Sequence, residues 1–357
     1  MKRRYRAALL AGGLLLAAVV APVAYVEGRC GRTGDVRPKA EARPLLAAAE
    51  RRPEARTWLT YPEWHIVYSA GSFGSHLAAG KPPSDYPYGG DIAAFWRGAC
   101  AVNRVTAGLP GASDAKVMIY TIGISFSAEL AIKAAWERTI GRFAQWAGGH
   151  DSADDRFAAR VQQRYAAFMH ETPWYQFPFG DALAGLWRTN EPRRPLRHWE
   201  RRIALSLEYG VKAGYARLIG WASGATLGRD EPTLRLVARA SPGRLAAVDP
   251  RLRPVRTAPG GLTIVEAPRY AQFTDILRKL SAAGIELVEI AGNDEIFLTA
   301  LVKGEASAPA APTLFAMELG DRPGWRRVGL TTKVPALLPA MRSIERSGGR
   351  IEHVYDY

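Results

Sequence analysis

A fifteen-residue pattern occurs twice in this chain and limits its fold more than any other feature. Residues 127–141 read SAELAIKAAWERTIG, and residues 206–220 read SLEYGVKAGYARLIG, a displacement of 79 positions. Aligned from Ile124 with Ile203 to Gly141 with Gly220, eight of 18 residues are identical. A second match, YPYGGDIAAFWR at 86–97 with FPFGDALAGLWR at 177–188, begins 91 positions apart. Two independent matches in the same order imply an internal duplication. Each half is an aromatic-Pro-aromatic turn, a helix closing in Trp-Arg, and a second helix carrying Ser, Glu, Lys and Arg. Pro87 and Pro178 set the turns, and Asp91 and Asp181 are expected at the N-caps, where a carboxylate accepts unpaired first-turn amides. The offset falls from 91 to 79, so the first half carries 12 extra residues, and the loop AGLPGASD at 107–114 is the natural place for them. Two homologous helix pairs pack most simply about a pseudo-twofold axis, giving a four-helix core.

At 100° per residue, the Glu of each repeat helix shares one stripe with the Lys four later, the aromatic seven later (Trp136, Tyr215) and the Ile eleven later (Ile140, Ile219). Arg138 and Arg217 point the other way. If the stripe faces water, Glu129 with Lys133 and Glu208 with Lys212 are ordinary intrahelical pairs worth about 0.3–0.5 kcal/mol. If it faces a core, the duplication predicts an exchange: Glu129 meets Lys212 and Glu208 meets Lys133 across the axis. In a third reading the two glutamates form an acid pair around a substrate or metal, although the adjacent lysines would neutralise them.

The N-terminus opens with Lys2, Arg3, Arg4 and Arg6, and then runs uncharged from Ala7 to Val26. Twenty apolar residues suffice to cross a hydrocarbon layer of about 30 Å, and the basic flank stays cytoplasmic. Pro22 spoils the nearby small-residue cleavage sites, which favours a retained anchor over a cleaved signal. Residues 1–30 therefore read as a single-pass anchor in a bacterial inner membrane, with the bulk of the chain outside the cytoplasm. Residues 31–58 read as a polar spacer. Both cysteines, Cys30 and Cys100, fall on the oxidising side, where a disulfide is expected; two free buried thiols are the alternative. Lys and Arg number 48 against 34 acids, and four of those cations precede the apolar run, leaving +10 on the exported part. That surplus suits anionic lipid, an envelope polymer or an acidic protein. Nucleic acid does not fit, because the cations are scattered and the compartment is wrong.

The duplicated helical domain occupies 59–228, with repeat units at about 86–147 and 177–226, and a connection follows at 229–261 that can hold a strand at Thr233 to Ala240. From 262 the pattern changes to strand (262–267), helix (271–284), strand (285–291), strand (295–302), helix (334–347) and a last strand in IEHVYDY. Gly292, Asn293 and Asp294 read as a hairpin turn between the third and fourth of these elements. The order is that of a ferredoxin-like α+β domain, 262–357, with an extra hairpin at 314–319 and 326–332. Its sheet offers an edge for a homo-oligomer.

The segment TYPEWHIVY at 60–68, the repeated SxE-KA-R-IG helices and the terminal IEHVYDY resemble an uncharacterised family of bacterial single-anchor envelope proteins. The resemblance covers most of the chain after the anchor and implies no activity, cofactor or site residue.

The chain has no G-x-S-x-G elbow, phosphate loop, dinucleotide fingerprint or H-E-x-x-H motif, and its six histidines show no zinc spacing. No catalytic residue, cofactor or metal is assigned. An extended TYPEWHIVY would put Glu63 and His65 on one face near the aromatic turns, which adds them to the candidate cluster of Glu129, Lys133, Glu208 and Lys212. The expectation is a membrane-anchored, non-catalytic binding or assembly factor. The alternative is an anchored hydrolase or lipid-modifying enzyme that uses carboxylates at the repeat interface.

Overall fold

The computed structural model describes residues 20–30, 44–52, 60–106, 112–190, 193–226, 233–304, 312–319 and 322–355. Most of the expected anchor lies outside these residues; its last turns belong to a helix over 20–29 (α1). The described chain is helical in its first part and carries two antiparallel sheets in its C-terminal part.

The helical part comprises α2 (Tyr61–Ala78), α3 (Tyr88–Thr106), α4 (Ala112–Trp136), α5 (Arg142–Gly148), α6 (Ala153–Met169), α7 (Phe179–Leu186) and α8 (Pro195–Thr226). A π turn, Glu137–Gly141, joins α4 and α5 into one continuous rod. Pro62 opens α2, its fixed φ and missing N–H being harmless in a first turn. Ser152 and Asp155 open α6 as a reciprocal capping box. Gly149, at φ 76°, ends α5 in a conformation that costs glycine nothing.

The repeat is longer than the motifs alone suggest. At the offset of 91, α2 corresponds to α6, the 3-10 turn Pro83–Asp85 to Trp174–Gln176, and α3 to α7. Residues 107–111 of the expected loop insertion lie outside the described residues, and the first copy gains helix instead in the described part. Leu186, which ends α7, corresponds to Phe95, whereas α3 continues to Thr106, so the addition is about three further helical turns. Asp91 and Asp181 do not cap. Each helix starts earlier, so both lie inside the first turn, where a carboxylate still complements the helix dipole.

The added turns of α3 receive the end of α1. Cys100 is bonded to Cys30 with Cα atoms 5.2 Å apart, and Asn103 Nδ2 donates to the Cys30 carbonyl at 3.1 Å. Val26 and Cys30 are fully buried in the same aromatic cluster as Phe95 and Trp96. Glu27 accepts from Lys116 Nζ at 3.2 Å and from the Tyr120 hydroxyl, at the start of α4.

The expected spacer is not polar tether throughout, because residues 44–52 lie against the first sheet. Leu46 is 1% exposed and packs with Val237 and Ile264. The amides of Leu45 and Leu46 donate to the Glu289 carboxylate at 2.5 and 3.2 Å, and Arg256 grips Glu50 with bonds of 2.6 and 2.7 Å. Leu46 supplies apolar cover for the sheet face, while Leu45 is 48% exposed.

The C-terminal part differs from a single sheet beginning at 262. It runs β1 (Thr233–Arg239), α9 (Pro242–Val248), β2 (Arg253–Ala258), β3 (Leu262–Pro268), α10 (Ala271–Ala282) and β4 (Glu286–Ile290), then β5 (Glu295–Lys303), β6 (Thr313–Glu318), β7 (Trp325–Lys333), α11 (Val334–Arg346) and β8 (Arg350–Val354). The strand orders are β2-β3-β1-β4 and β6-β7-β5-β8, so the second sheet repeats the first strand for strand. Equivalent ladders are irregular at equivalent points, between Val237 and Ala238 on β1 and between Thr299 and Ala300 on β5. The segment at 233–240 is therefore the first strand of the first sheet, and the apparent extra hairpin is β6–β7 of the second. The turn at Gly292, Asn293 and Asp294 carries the chain from one sheet to the other, and β4 does not pair with β5 along a ladder. Inner faces of both sheets and helices α10 and α11 share one core.

The outer face of the second sheet closes on α2. Trp64 stacks on His353 with ring centroids 3.7 Å apart, Tyr61 packs on Phe315 at 4.7 Å, and the hydroxyls of Tyr68 and Tyr355 are 3.1 Å apart. Arg327, which binds Glu352 through bonds of 2.6 and 2.8 Å, lies 4.1 Å over the Tyr68 ring. Gly98 of α3 makes this possible, since a Cβ there would stand 2.5 Å from the Tyr61 ring. TYPEWHIVY and the described part of IEHVYDY, Ile351–Tyr355, thus form one interface.

Two outcomes follow. The disulfide closes a separation of 70 residues, so Cys100→Ser should cost about 2–5 kcal/mol in thermal or urea unfolding. Reductant should lower the melting temperature of the native chain but leave that of the variant unchanged. Burial, with His170 nearby, pushes the His353 imidazole down to about 3. An unfolded histidine near 6.5 takes up a proton that the folded one refuses. Stability should therefore decline as pH falls from about 6.5 toward 3, by at most about 1.4 kcal/mol per unit. His353→Phe, which keeps the stack on Trp64, should flatten that part of the profile.

Candidate functional site

The two repeat helices α4 and α8 run antiparallel and meet through their side chains. Lys133 Nζ lies 2.9 Å from Glu208 Oε1, and Lys212 Nζ lies 2.8 Å from Glu129 Oε1. Lys212 also reaches Glu208 within its own helix at 3.2 Å. Exchange across the axis and one intrahelical pair therefore coexist, centred between Ala131 and Gly210. Both lysines lie over aromatic rings, Lys133 at 4.6 Å from Phe73 and Lys212 at 5.1 Å from Tyr165. Burial alone would raise the Glu208 carboxyl, but Lys133 and Lys212 outweigh it and hold it at about 2. Burial opposes the charge on Lys212, yet Glu129 and Glu208 hold its ammonium well above the usual range.

The tryptophan and serine of the duplicated motifs have a shared purpose that the sequence left unconnected. Trp96 Nε1 donates to Ser127 Oγ at 2.9 Å in the first copy, and Trp187 Nε1 donates to Ser206 Oγ at 3.1 Å in the second. The residues lie 31 and 19 positions apart, and that difference of 12 hid the pairing. The shared stripe is only partly inward, since Ile140 and Tyr215 are about half exposed while Trp136 turns its indole to Glu200 at 2.7 Å.

Glu63 and His65 do not share a face. Proline at the first turn makes TYPEWHIVY a helix rather than a strand, and two residues on a helix point about 200° apart. His65 is buried, with Nε2 at 3.2 Å from the Asp91 carbonyl and 3.6 Å from its carboxylate. Tyr86 and Ser69 hydroxyls donate to the same carboxylate at 2.5 and 2.6 Å. Burial raises that carboxyl, but these bonds together hold it below its usual range. The cluster ties α2 to α3 and stands apart from the repeat axis.

The functional candidate lies where the two copies differ. Beyond the exchange pair, Arg201 Nη2 binds both Glu137 oxygens at 2.9 Å, and Arg201 Nε binds Glu200 at 2.8 Å. Arg197 binds Glu200 at 2.7 Å and Asp155 at 2.6 Å. All five side chains are at least nine-tenths buried. Their counterparts at offsets of 79 and 91 are Ala216 for Glu137, Thr121 for Glu200, Ile122 for Arg201, Met118 for Arg197 and Trp64 for Asp155. The shared fold therefore does not require these charges. Gly141 gives Glu137 its room, as a Cβ there would lie 2.7 Å from a Glu137 oxygen. Burial pushes the Glu137 carboxyl up, against Arg201, and Glu200 adds to the rise; in Glu200 burial is outweighed by the two arginines, which hold its carboxyl low.

A cavity of about 360 Å³ opens on this network from between α2, α4, α6 and α8. Its acidic lining is neutralised: Glu137 by Arg201, Glu208 by Lys133 and Lys212, Asp155 by Arg197, and Asp151 by Arg156 at 3.0 Å. Lys81 and Arg160 also line it, both exposed and without an acidic partner among the described residues. No group of three His, Cys, Asp or Glu side chains among the described residues is arranged to hold a metal ion. Comparison with family models, with curated proteins and with solved structures finds no match to this chain.

The depressed Glu208 carboxyl has a measurable consequence. Its contribution is complete above an unfolded value near 4.3 and is lost as pH falls toward about 2. Glu208→Gln should cost about 3 kcal/mol at neutral pH, because Lys133 and Lys212 keep their charges without the carboxylate between them. Urea unfolding at pH 7 and pH 3 should show the variant's deficit shrinking at the lower value.

Proposed function

We propose that this protein is a membrane-anchored, non-catalytic binding factor of the bacterial envelope whose cavity receives an anionic group. One observation carries the reading: every acid of the cavity is matched by a cation, while Lys81 and Arg160 at its lining are not. A neutralised interior with surplus cations favours an anion and leaves no free carboxylate for acid–base work. A volume near 360 Å³ suits a headgroup or a short acidic moiety, since a water occupies about 30 Å³ in the liquid. The excess of 48 Lys and Arg over 34 acids draws such ligands toward the surface. On this reading each C-terminal sheet with its helices is a ferredoxin-like unit, and the pair forms a platform on which the helical repeats are held.

The alternative, a hydrolase or lipid-modifying enzyme, draws on Glu137, the one cavity carboxyl raised by its surroundings. Arg201 on both of its oxygens argues against a free base there.

Glycerol phosphate, with glycerol as the uncharged control, tests the reading by calorimetric titration of the full chain in detergent. Saturable binding that weakens with salt, and about tenfold with Lys81→Glu and Arg160→Glu combined, is expected. No heat from glycerol phosphate, or equal affinity in the double variant, would reject the cavity as the anion site.

A further inference from the structure

In an ordinary surface helix of a water-soluble protein the charges face out and the apolar residues face in. The central helices here depart from that arrangement, although Phe126, Leu130, Leu205 and Tyr209 still face inward. Their inward sides hold Lys133, Glu137, Arg201 and Glu208, while their outward sides carry Ile132 at 71% exposure and Val211 at 70%. These two are counterparts at the offset of 79 and flank the pseudo-twofold axis. Along α8, Leu196, Trp199, Ile203 and Leu207 continue the outward stripe, and charge returns to it only at Arg217. The rod Lys116–Gly148 is the one helix among the described residues long and apolar enough to cross a membrane, yet only 22% of its apolar window is buried. Its outward side ends in Phe143 and Trp146, the latter 82% exposed.

We propose that the outward faces of α4, α5 and α8 form a single surface that lies in the interfacial layer of a lipid bilayer. The rod does not span, since Glu129, Lys133 and Glu137 interrupt it and its other side is built into the protein. Three observations select lipid over a second copy. First, α1, which continues the uncharged N-terminal run, is bonded to α3 through Cys30–Cys100 and meets the start of α4 through the Glu27–Lys116 pair, so the anchor delivers this face to the membrane. Second, tryptophans and arginines gather at its border: Arg202 lies 4.8 Å over Trp187 and 5.8 Å from Trp199, and Arg138, Arg142 and Arg217 are exposed nearby. That is the composition of a headgroup boundary. Third, basic side chains predominate at the rim, with Arg138, Arg142, Arg202 and Arg217 against Glu129 and Asp85, which suits anionic lipid and disfavours a like copy. The inference rests on the anchor reading and adds a second, broad attachment to it.

The test uses the full chain reconstituted in phosphatidylcholine vesicles, with and without phosphatidylglycerol. A single cysteine is introduced as Ile132→Cys, Val211→Cys or, on the distant strand β2, Val255→Cys, which is 44% exposed. Each is labelled with an environment-sensitive dye while the native disulfide stays closed. Labels at 132 and 211 should emit at shorter wavelength and be quenched by aqueous iodide several-fold less than the label at 255. Equal quenching at all three sites on floating vesicles would overturn the face and leave the anchor standing. Protection that disappears on dilution of the protein in excess lipid would show contact between copies and overturn lipid as the occupant. A chain that fails to float with vesicles would remove the anchor reading, and this one with it.

Discussion

The exchange of lysine and glutamate between α4 and α8 is the constraint on which the helical part depends. A lysine and a glutamate on one exposed helix contribute a few tenths of a kcal/mol. Placed across the interface between the two helices, Lys133, Glu208 and Lys212 are largely desolvated while Glu129 stays 45% exposed, so losing one of the three buried members costs several times more. The bonds Lys133–Glu208 and Lys212–Glu129 therefore fix the register of two antiparallel helices. That register brings Glu137 to Arg201, and Arg197 and Arg201 to Glu200. The exchange thus bears on the spacing of two of the cavity's walls, α4 and α8.

The correspondence between the two helical halves is legible because its markers are chemically distinctive. Charged and aromatic residues at fixed spacing survive divergence in a way that apolar positions do not, and the cross-pairing could be written down from Glu129, Lys133, Glu208 and Lys212 alone. The second duplication was missed for the converse reason. Leu, Ile and Val substitute freely in strands, so β1 and β5 share no distinctive residue. A fainter signal was present in LRKLSAAG at 277–284 and MRSIERSG at 341–348, each closing a helix on glycine at positive φ. The strand after Gly292 was paired with the wrong neighbour because a turn motif reports a change of direction and not which sheet the chain then joins. Leu46 reads as spacer because an isolated pair of leucines shows no periodicity, and only the sheet reveals the face that Leu46 covers.

Departures from symmetry locate what duplication alone does not explain. Both copies keep the Trp-Ser bond and the Glu-Lys exchange, which serve the fold. The second copy's Arg197, Glu200 and Arg201, facing Glu137 from the first, have no mirrored set at Met118, Thr121, Ile122 and Ala216. The first copy's additional turns of α3 likewise have no counterpart, and they carry Cys100. One divergence creates a polar cavity and the other creates a seat for α1. A search confined to known motifs finds neither, because each is defined by what the other copy lacks.

These two divergences bear on one energetic problem. Burying Glu137, Glu200, Arg197 and Arg201 loses hydration that ion pairing only partly restores, while leaving Ile132, Val211, Trp199 and Trp146 in water forgoes about 25 cal/mol for each Å² of apolar surface exposed. The inward sides also bury Phe126, Leu130, Leu205 and Tyr209, so in water the deficit lies in the buried charges and the exposed outward faces. Beside a bilayer the outward side recovers its transfer energy, and turning the charges inward becomes the arrangement that keeps them out of lipid. On this proposal the disulfide fixes α1 to α3 and the Glu27–Lys116 pair sets it beside the start of α4, so the proposed anchor and the proposed surface belong to the same physical solution.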